Sequence, residues 1–134
     1  MRVMQDQFLV GVTGVIFNHK HEVLLFRHTY RRIPWSLPGG YIKAKEHPKE
    51  ALEREIEEES GLIVSADTRF KIRTDRDTAR LDIIYIGSHI GGEFRPSTEV
   101  SEAKFFRLEN LPGLSKKQLI LIERVITQAT ISGR

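Results

Sequence analysis

Gly40-Tyr-Ile-Lys-Ala-Lys-Glu46, followed after seven residues by Arg54-Glu55-Ile56-Glu57-Glu58-Glu59-Ser60-Gly61-Leu62, is the stretch that decides how this chain folds. Pro48 suits the first turn of a helix and Gly61 suits its end, so a helix is predicted from about Pro48 to Ser60. Seven glutamates lie from Glu46 to Glu59. On a helix Glu55, Glu58 and Glu59 fall at i, i+3 and i+4 and share a face, where each like-charged pair costs roughly 0.2–0.5 kcal/mol. Glu57, Glu58 and Glu59 also occupy the C-terminal turn, where the helix dipole favours cations. A run that is unfavourable on both counts for a bare helix is accounted for by a divalent metal ion held against it.

The helical wheel separates these carboxylates into two groups. Glu50, Glu53 and Glu57 cluster on one side and read as the solvated face. Glu55 and Glu59 border the apolar stripe of Leu52 and Ile56, with Ala51 nearby. A carboxylate beside a buried stripe is expensive to desolvate unless it is paired or liganded. Solvation therefore accounts for the first group only.

Gly40, Glu46, Arg54, Glu55, Ile56, Glu58, Glu59, Gly61 and Leu62 stand at the spacing of the Nudix box, and the lead-in Trp35-Ser-Leu-Pro-Gly-Gly40 also resembles that family's approach to it. The resemblance implies a Nudix-like α/β/α sandwich around a mixed β-sheet, with residues 1–134 as a single domain. It implies hydrolysis of a pyrophosphate linkage in a nucleotide or a nucleoside diphosphate joined to another group. Removal of pyrophosphate from RNA 5′ ends and non-catalytic nucleotide sensing are the alternatives within the family. Sensors commonly lose box carboxylates, and this chain keeps them.

By the same resemblance, Glu55, Glu58 and Glu59 would hold Mg²⁺, with Mn²⁺ as a substitute and a backbone carbonyl at Gly40 as a further ligand. All-oxygen donors suit these hard ions. Arg54 would orient a carboxylate through a charge-assisted hydrogen bond, and Glu46 would be a supporting ligand or ion-pair partner. The general base differs among members of the family. Glu55 and Glu59 are candidates inside the box, and Glu99 and Glu102 outside it. Glu102, in Ser101-Glu-Ala-Lys-Phe-Phe106, is preferred for its likeness to a common family pattern. Arg27, Tyr30, Arg31 and Lys45 are the candidate substrate contacts. Lys45 departs from the glycine often found at its position, and His47 stands where Ser or Asp is a frequent cap, so a poor cap is expected. The next proline after the box is Pro96, later than in the ADP-ribose-cleaving members, and the box leaves the substrate open.

At 134 residues the chain is the length of one ordinary domain, and its 40% hydrophobic and 29% charged residues are those of a soluble globular protein. There is no cysteine, which removes disulfides and thiolate metal sites and fits a cytoplasmic location. The apolar run Phe8 to Phe17 is too short to span a bilayer as a helix. Asp6 before it and Asn18-His-Lys-His-Glu22 after it argue for a first strand rather than a signal peptide. Net charge is +3, yet outside Glu46–Glu59 the chain carries 19 basic and 11 acidic residues. A basic body around one acidic pocket suits a polyphosphate substrate. Arg31-Arg32 and Lys116-Lys117 are isolated pairs without an aromatic platform, so no dedicated nucleic-acid surface is expected. A homodimer is compatible with the sequence.

Phe8 to Phe17 and Glu22 to Arg27 read as strands of a hairpin across the turn Asn18–His21. Gly39-Gly40 lets the backbone turn and approach a ligand closely. Leu62 to Ile72 and Leu81 to Ile90 read as strands joined by Arg73-Thr-Asp-Arg-Asp77. Glu93 to Val100 reads as a loop, Lys104 to Leu108 as a strand, and Ser115 to about Ile131 as an amphipathic helix. Strands and helices mixed within one unit give helices on both faces of a mixed sheet.

Overall fold

The structure is a computed structural model that describes residues 9–75 and 79–131. Strands β1 (Leu9–Phe17), β2 (Val23–His28), β3 (Trp35–Ser36) and β4 (Gly39–Tyr41) precede helix α1 (Pro48–Ser60). Strands β5 (Leu62–Asp75), β6 (Arg80–Gly92) and β7 (Val100–Phe106) follow, then a 3-10 turn at Leu108–Asn110 and helix α2 (Lys116–Ile131). The sheet runs β3-β2-β1-β6-β5, with β4 on β1 and β7 on β2. Pairing of β1 with β6 is parallel and the other pairings are antiparallel.

Alternation along the central strands builds a core on each face. Val12, Ile16, Leu24 and Phe26 meet Ala51, Leu52 and Ile56 of α1. Val15, Val23, Leu25 and Ile84 meet Leu121, Ile122 and Val125 of α2. Leu52 and Ile56 are fully buried, and burial of each such side chain is worth about 1.5–3 kcal/mol. The mixed sheet with a helix on each face agrees with the architecture expected from the sequence.

The expected hairpin is closed only at its turn, where Phe17 pairs with Val23. Farther along, β4 takes the edge of β1, with Val12 opposite Gly40 and Thr13 opposite Gly39, while β2 pairs with β3 and β7. The glycine turn is thus set against the central strand. The hairpin β5–β6 outruns its hydropathy. Arg73, expected in a turn, pairs with Asp82 across the strands. The buried Asp82 carboxylate draws in Arg73 Nη2 at 3.5 Å and Arg80 Nη2 at 3.0 Å, so ion pairing carries the strands past the apolar run. Of the expected turn, residues 76 and 77 lie outside the described residues, as does Phe8 of the first strand. Strand β7 starts at Val100, not Lys104, because Val100 is fully buried and paired with His28.

His47 proves to be a working cap. Its Nδ1 accepts the Lys49 N–H at 3.1 Å, and Glu50 Oε1 accepts the His47 N–H at 3.1 Å, which closes a capping box. Gly61 ends α1 at φ 78°, and its N–H donates to the Glu57 carbonyl. The solvated face is also less idle than expected. Glu53 pairs with Lys49, and its Oε2 accepts the Ala66 N–H of β5 at 2.8 Å. A register shift between Ala66 and Thr68 interrupts the ladder there, which is why a helix carboxylate serves that amide.

Candidate active site

The glycine turn and α1 meet at Gly40 and Glu55. A Cβ on Gly40 would fall on the Glu55 carboxylate, and Glu55 Oε2 accepts the Tyr41 N–H at 3.1 Å. Only glycine lets the helix carboxylate lie against the β4 backbone. Arg54, beside it, grips Glu46 with two bonds: Nε to Oε2 at 2.6 Å and Nη2 to Oε1 at 3.0 Å. Its Nη1 donates to Glu58 Oε1 at 3.0 Å and its Nη2 to the Tyr41 carbonyl at 3.2 Å. The Arg54 hydrogen bond holds the Glu46 carboxyl down near 2, helped by the Lys43 N–H. Glu46 therefore acts as the ion-pair partner that orients Arg54.

Glu59 differs from its neighbours. Burial pushes its carboxyl up to about 7, and the charges of Glu55 and Glu99 push the same way while Arg31 opposes them. Strand pairing between β2 and β7 brings these distant residues together. The segment between β2 and β3, residues 29–33, forms an exposed arm. His28 N–H donates to the Pro34 carbonyl at 2.7 Å, and Thr29 N–H donates to the Glu99 carbonyl at 3.2 Å. Arg31 Nη1 donates to the buried Ser36 Oγ at 3.3 Å. His28, itself buried, is pulled down to about 4 by burial and by the charge of Arg31.

The remaining candidates are more scattered. Glu102 stands opposite Arg27 and is exposed. Ala103 and Phe105 pack on the α1 side, so strand alternation turns Glu102 to the opposite face. Of the two distal carboxylates, Glu99 is the one whose charge reaches Glu59. The Arg27 guanidinium lies 3.5 Å from Ser101 Oγ. Tyr30 is 90% exposed on the arm. Lys45 adopts φ 68°, a left-handed conformation that explains why glycine is common at its position. Sequence reasoning missed the Arg31–Ser36 contact and preferred Glu102 to Glu99. The Thr29–Glu99 link joins residues far apart in the chain, and no local spacing announces it.

Among the described residues, no three His, Asp or Glu side chains are already gathered as a metal-holding group. Glu58 is turned to Arg54 and Glu55 to the Tyr41 amide. The donor set nevertheless fits a hard cation. It consists of carboxylates from one helix face beside a glycine turn with no room for a side chain, and it contains no thiolate or imidazole. A groove of about 1350 Å³ between the β5–β6 hairpin and α2, with Phe70, Ile86 and Val125 in its lining, contains none of these carboxylates. The candidate site lies instead where α1 meets the glycine turn. No described helix is long and apolar enough to cross a membrane.

Residues 7–128 match the NUDIX domain, and the chain belongs to that family. Members of the family are nucleotide-directed hydrolases that generally use divalent metals. Over 112 residues the chain is 35% identical to an ADP-ribose pyrophosphatase of Methanocaldococcus jannaschii, an alignment spanning 79% of this chain and 66% of that protein. A crystal structure of an ADP-ribose pyrophosphatase from Streptococcus suis superposes with a TM-score of 0.71 at 28% identity, covering 86% of this chain and 89% of that one. A UDP-X diphosphatase superposes with a TM-score of 0.81 at 23% identity, covering 98% and 67% respectively, and shows the shared fold.

Proposed function

We propose that this chain is a pyrophosphohydrolase that cleaves a nucleoside diphosphate joined to a second group, with ADP-ribose and nucleotide sugars as the first substrates to test. The observation that carries this is the glycine turn shaped to the Glu55 carboxylate, on the helix that also bears Glu58 and Glu59, with the charge of the distal Glu99 acting on Glu59. Names of the relatives favour the ADP-ribose class, despite the late Pro96.

Glu55, Glu58 and Glu59, with the Gly40 carbonyl, would hold Mg²⁺ or Mn²⁺. When bound, such an ion neutralises phosphate oxygens and acidifies water. The side chains of the chain do the rest. Arg54 fixes Glu58 and Glu46, and the Tyr41 N–H fixes Glu55. We assign the uptake of a proton from attacking water to Glu59 or to Glu99, whose charge acts on Glu59. Glu102, on the other face, is the weaker choice. Tyr30 and Arg31 on the exposed arm and Lys45 in the turn before α1 are the candidate substrate contacts, while Arg27 is engaged with Ser101.

The test is a product-release screen over ADP-ribose, nucleotide sugars, nucleoside triphosphates, dinucleoside polyphosphates and 5′-triphosphate RNA, run with Mg²⁺, Mn²⁺ or excess chelator. Metal-dependent release of AMP and ribose 5-phosphate from ADP-ribose is the expected result. Full turnover in chelator would overturn the metal assignment, and no product from any class would overturn the hydrolase.

A further inference from the structure

Strands β3 and β4 belong to one short segment that changes partners partway. Trp35 and Ser36 pair with Arg27 and Phe26 of β2, whereas Gly39, Gly40 and Tyr41 pair with Thr13, Val12 and Gly11 of β1. Leu37 and Pro38 make the crossing, and both are buried. Pro38 has no N–H, and its carbonyl accepts the Gly14 N–H at 2.9 Å. Leu37 is in neither ladder, and a buried donor left without an acceptor is costly. Its acceptor comes from the helix on the face opposite α1: Gln118 Oε1, at 2.9 Å and 81 residues away. Gln118 lies in the first turn of α2, where its N–H donates to Ser115 Oγ at 3.4 Å. A glutamine at that position of a capping box reaches back to the serine N–H. Here its oxygen is given to Leu37 instead.

We propose that Gln118 is a positioning residue for the candidate site: through the Leu37 N–H, α2 sets how the glycine turn lies against Glu55. Leu37 shares the α2-side core with Leu121 and Ile122, so backbone and side chain both tie the crossing to that helix. Farther along the same segment, Gly40 leaves room for the Glu55 carboxylate and the Tyr41 N–H donates to it from β4. The segment is thus held to α2 at one end and to α1 at the other, with the β1 ladder between. Releasing the Leu37 end lets the segment tilt about that ladder, drawing the Tyr41 N–H from Glu55 and moving the Gly40 carbonyl. A closely packed interior transmits such a displacement rather than absorbing it. Only the effect on a bound cation rests on the pyrophosphohydrolase reading; the coupling of Leu37 to Tyr41 does not.

The experiment is amide hydrogen exchange of the metal-free parent, Gln118→Met and Gln118→Glu, followed by isothermal titration of each with Mn²⁺. Methionine has a similar length and no oxygen, whereas glutamate keeps an acceptor for Leu37. In Gln118→Met the Leu37 and Tyr41 amides should exchange about tenfold or more faster, with the Ile84 amide of β6 unchanged. The same variant should bind Mn²⁺ about tenfold more weakly, as expected for a group that orients ligands without touching the ion. Gln118→Glu should match the parent in both measurements. Faster exchange at Leu37 alone, with Tyr41 and Mn²⁺ affinity unchanged, would show a purely local bond and overturn the proposal. Faster exchange that includes Ile84 would show general destabilisation and overturn it too, as would failure of Gln118→Glu to restore the parent behaviour. Gln118→Ala gives the same contrast should Gln118→Met not fold. A parent that binds no Mn²⁺ overturns the metal assignment, while linked exchange at Leu37 and Tyr41 still supports the coupling. A parent that binds Mn²⁺ as tightly as Gln118→Met does overturns the coupling alone.

Discussion

Arg54 and Glu46 are joined by two parallel hydrogen bonds of 2.6 and 3.0 Å, and the same guanidinium reaches Glu58 and the Tyr41 carbonyl. Lysine keeps the charge but cannot span those partners. Arg54→Lys should weaken Mn²⁺ binding by about 10–100-fold, the usual range for groups that orient metal ligands. Glu46→Gln should weaken it less, because one acceptor oxygen survives. Titration calorimetry on both variants, with circular dichroism to verify folding, checks the order.

Glu58→Gln and Glu59→Gln should each lower kcat by about a hundredfold or more, the size of effect seen when transition-state electrostatics are removed. Without metal, Glu59→Gln should melt no lower than the parent, because it relieves a half-buried charge of repulsion by Glu55 and Glu99. A large drop in its metal-free melting temperature would mean that Glu59 serves the fold instead.

Glu99→Gln and Glu102→Gln separate the two distal carboxylates. If Glu99 takes the proton, its amide should cut kcat by roughly 10²–10⁴-fold, with much less change in metal affinity than Glu59→Gln. Glu102→Gln should turn over near the parent rate. The reverse outcome would return the role to Glu102 and require a different course for the loop before β7.

His28 makes stability depend on pH. Its folded value, near 4, lies below the ordinary 6.5, so the unfolded chain binds the proton more readily. Its contribution is fully present above about 6.5 and is lost as pH falls from there toward 4. At about 1.4 kcal/mol per unit, and allowing for partial hydration, roughly 2 kcal/mol should disappear. Urea unfolding at pH 7.5, 5.5 and 4.5 should show that loss in the parent and not in His28→Leu.

Lys45 holds φ 68°, where a side chain is strained by about 1 kcal/mol relative to glycine. Lys45→Gly should therefore stabilise the protein by about that amount in urea. A rise in KM for the same variant would show that the lysine also meets substrate.

The helix from Pro48 to Ser60 was fully legible in the sequence because its periodicity, its proline and its terminal glycine all agree. The layer order followed from the same logic: apolar stripes on two helices require two sheet faces. What escaped were features made by pairing between remote strands. Val100 looked like loop because its neighbours are polar, yet it is buried against His28. The face of β7 that Glu102 takes was hidden too, because local pattern cannot tell it. Glu53 looked idle because nothing in α1 reveals an interrupted ladder in β5.

The Thr29–Glu99 link also bears on when this surface comes into being. Contacts between such distant segments form slowly relative to local ones. The acidic helix needs only neighbouring residues and can arise early, whereas the wall that faces it requires β7 to find β2. On the proposed assignment, the carboxylates that would hold a cation thus precede, in folding order, the loop that carries Glu99. Competence is gained only when the last strand docks, and a chain whose β7 has come loose should lose turnover while most of its helix signal persists.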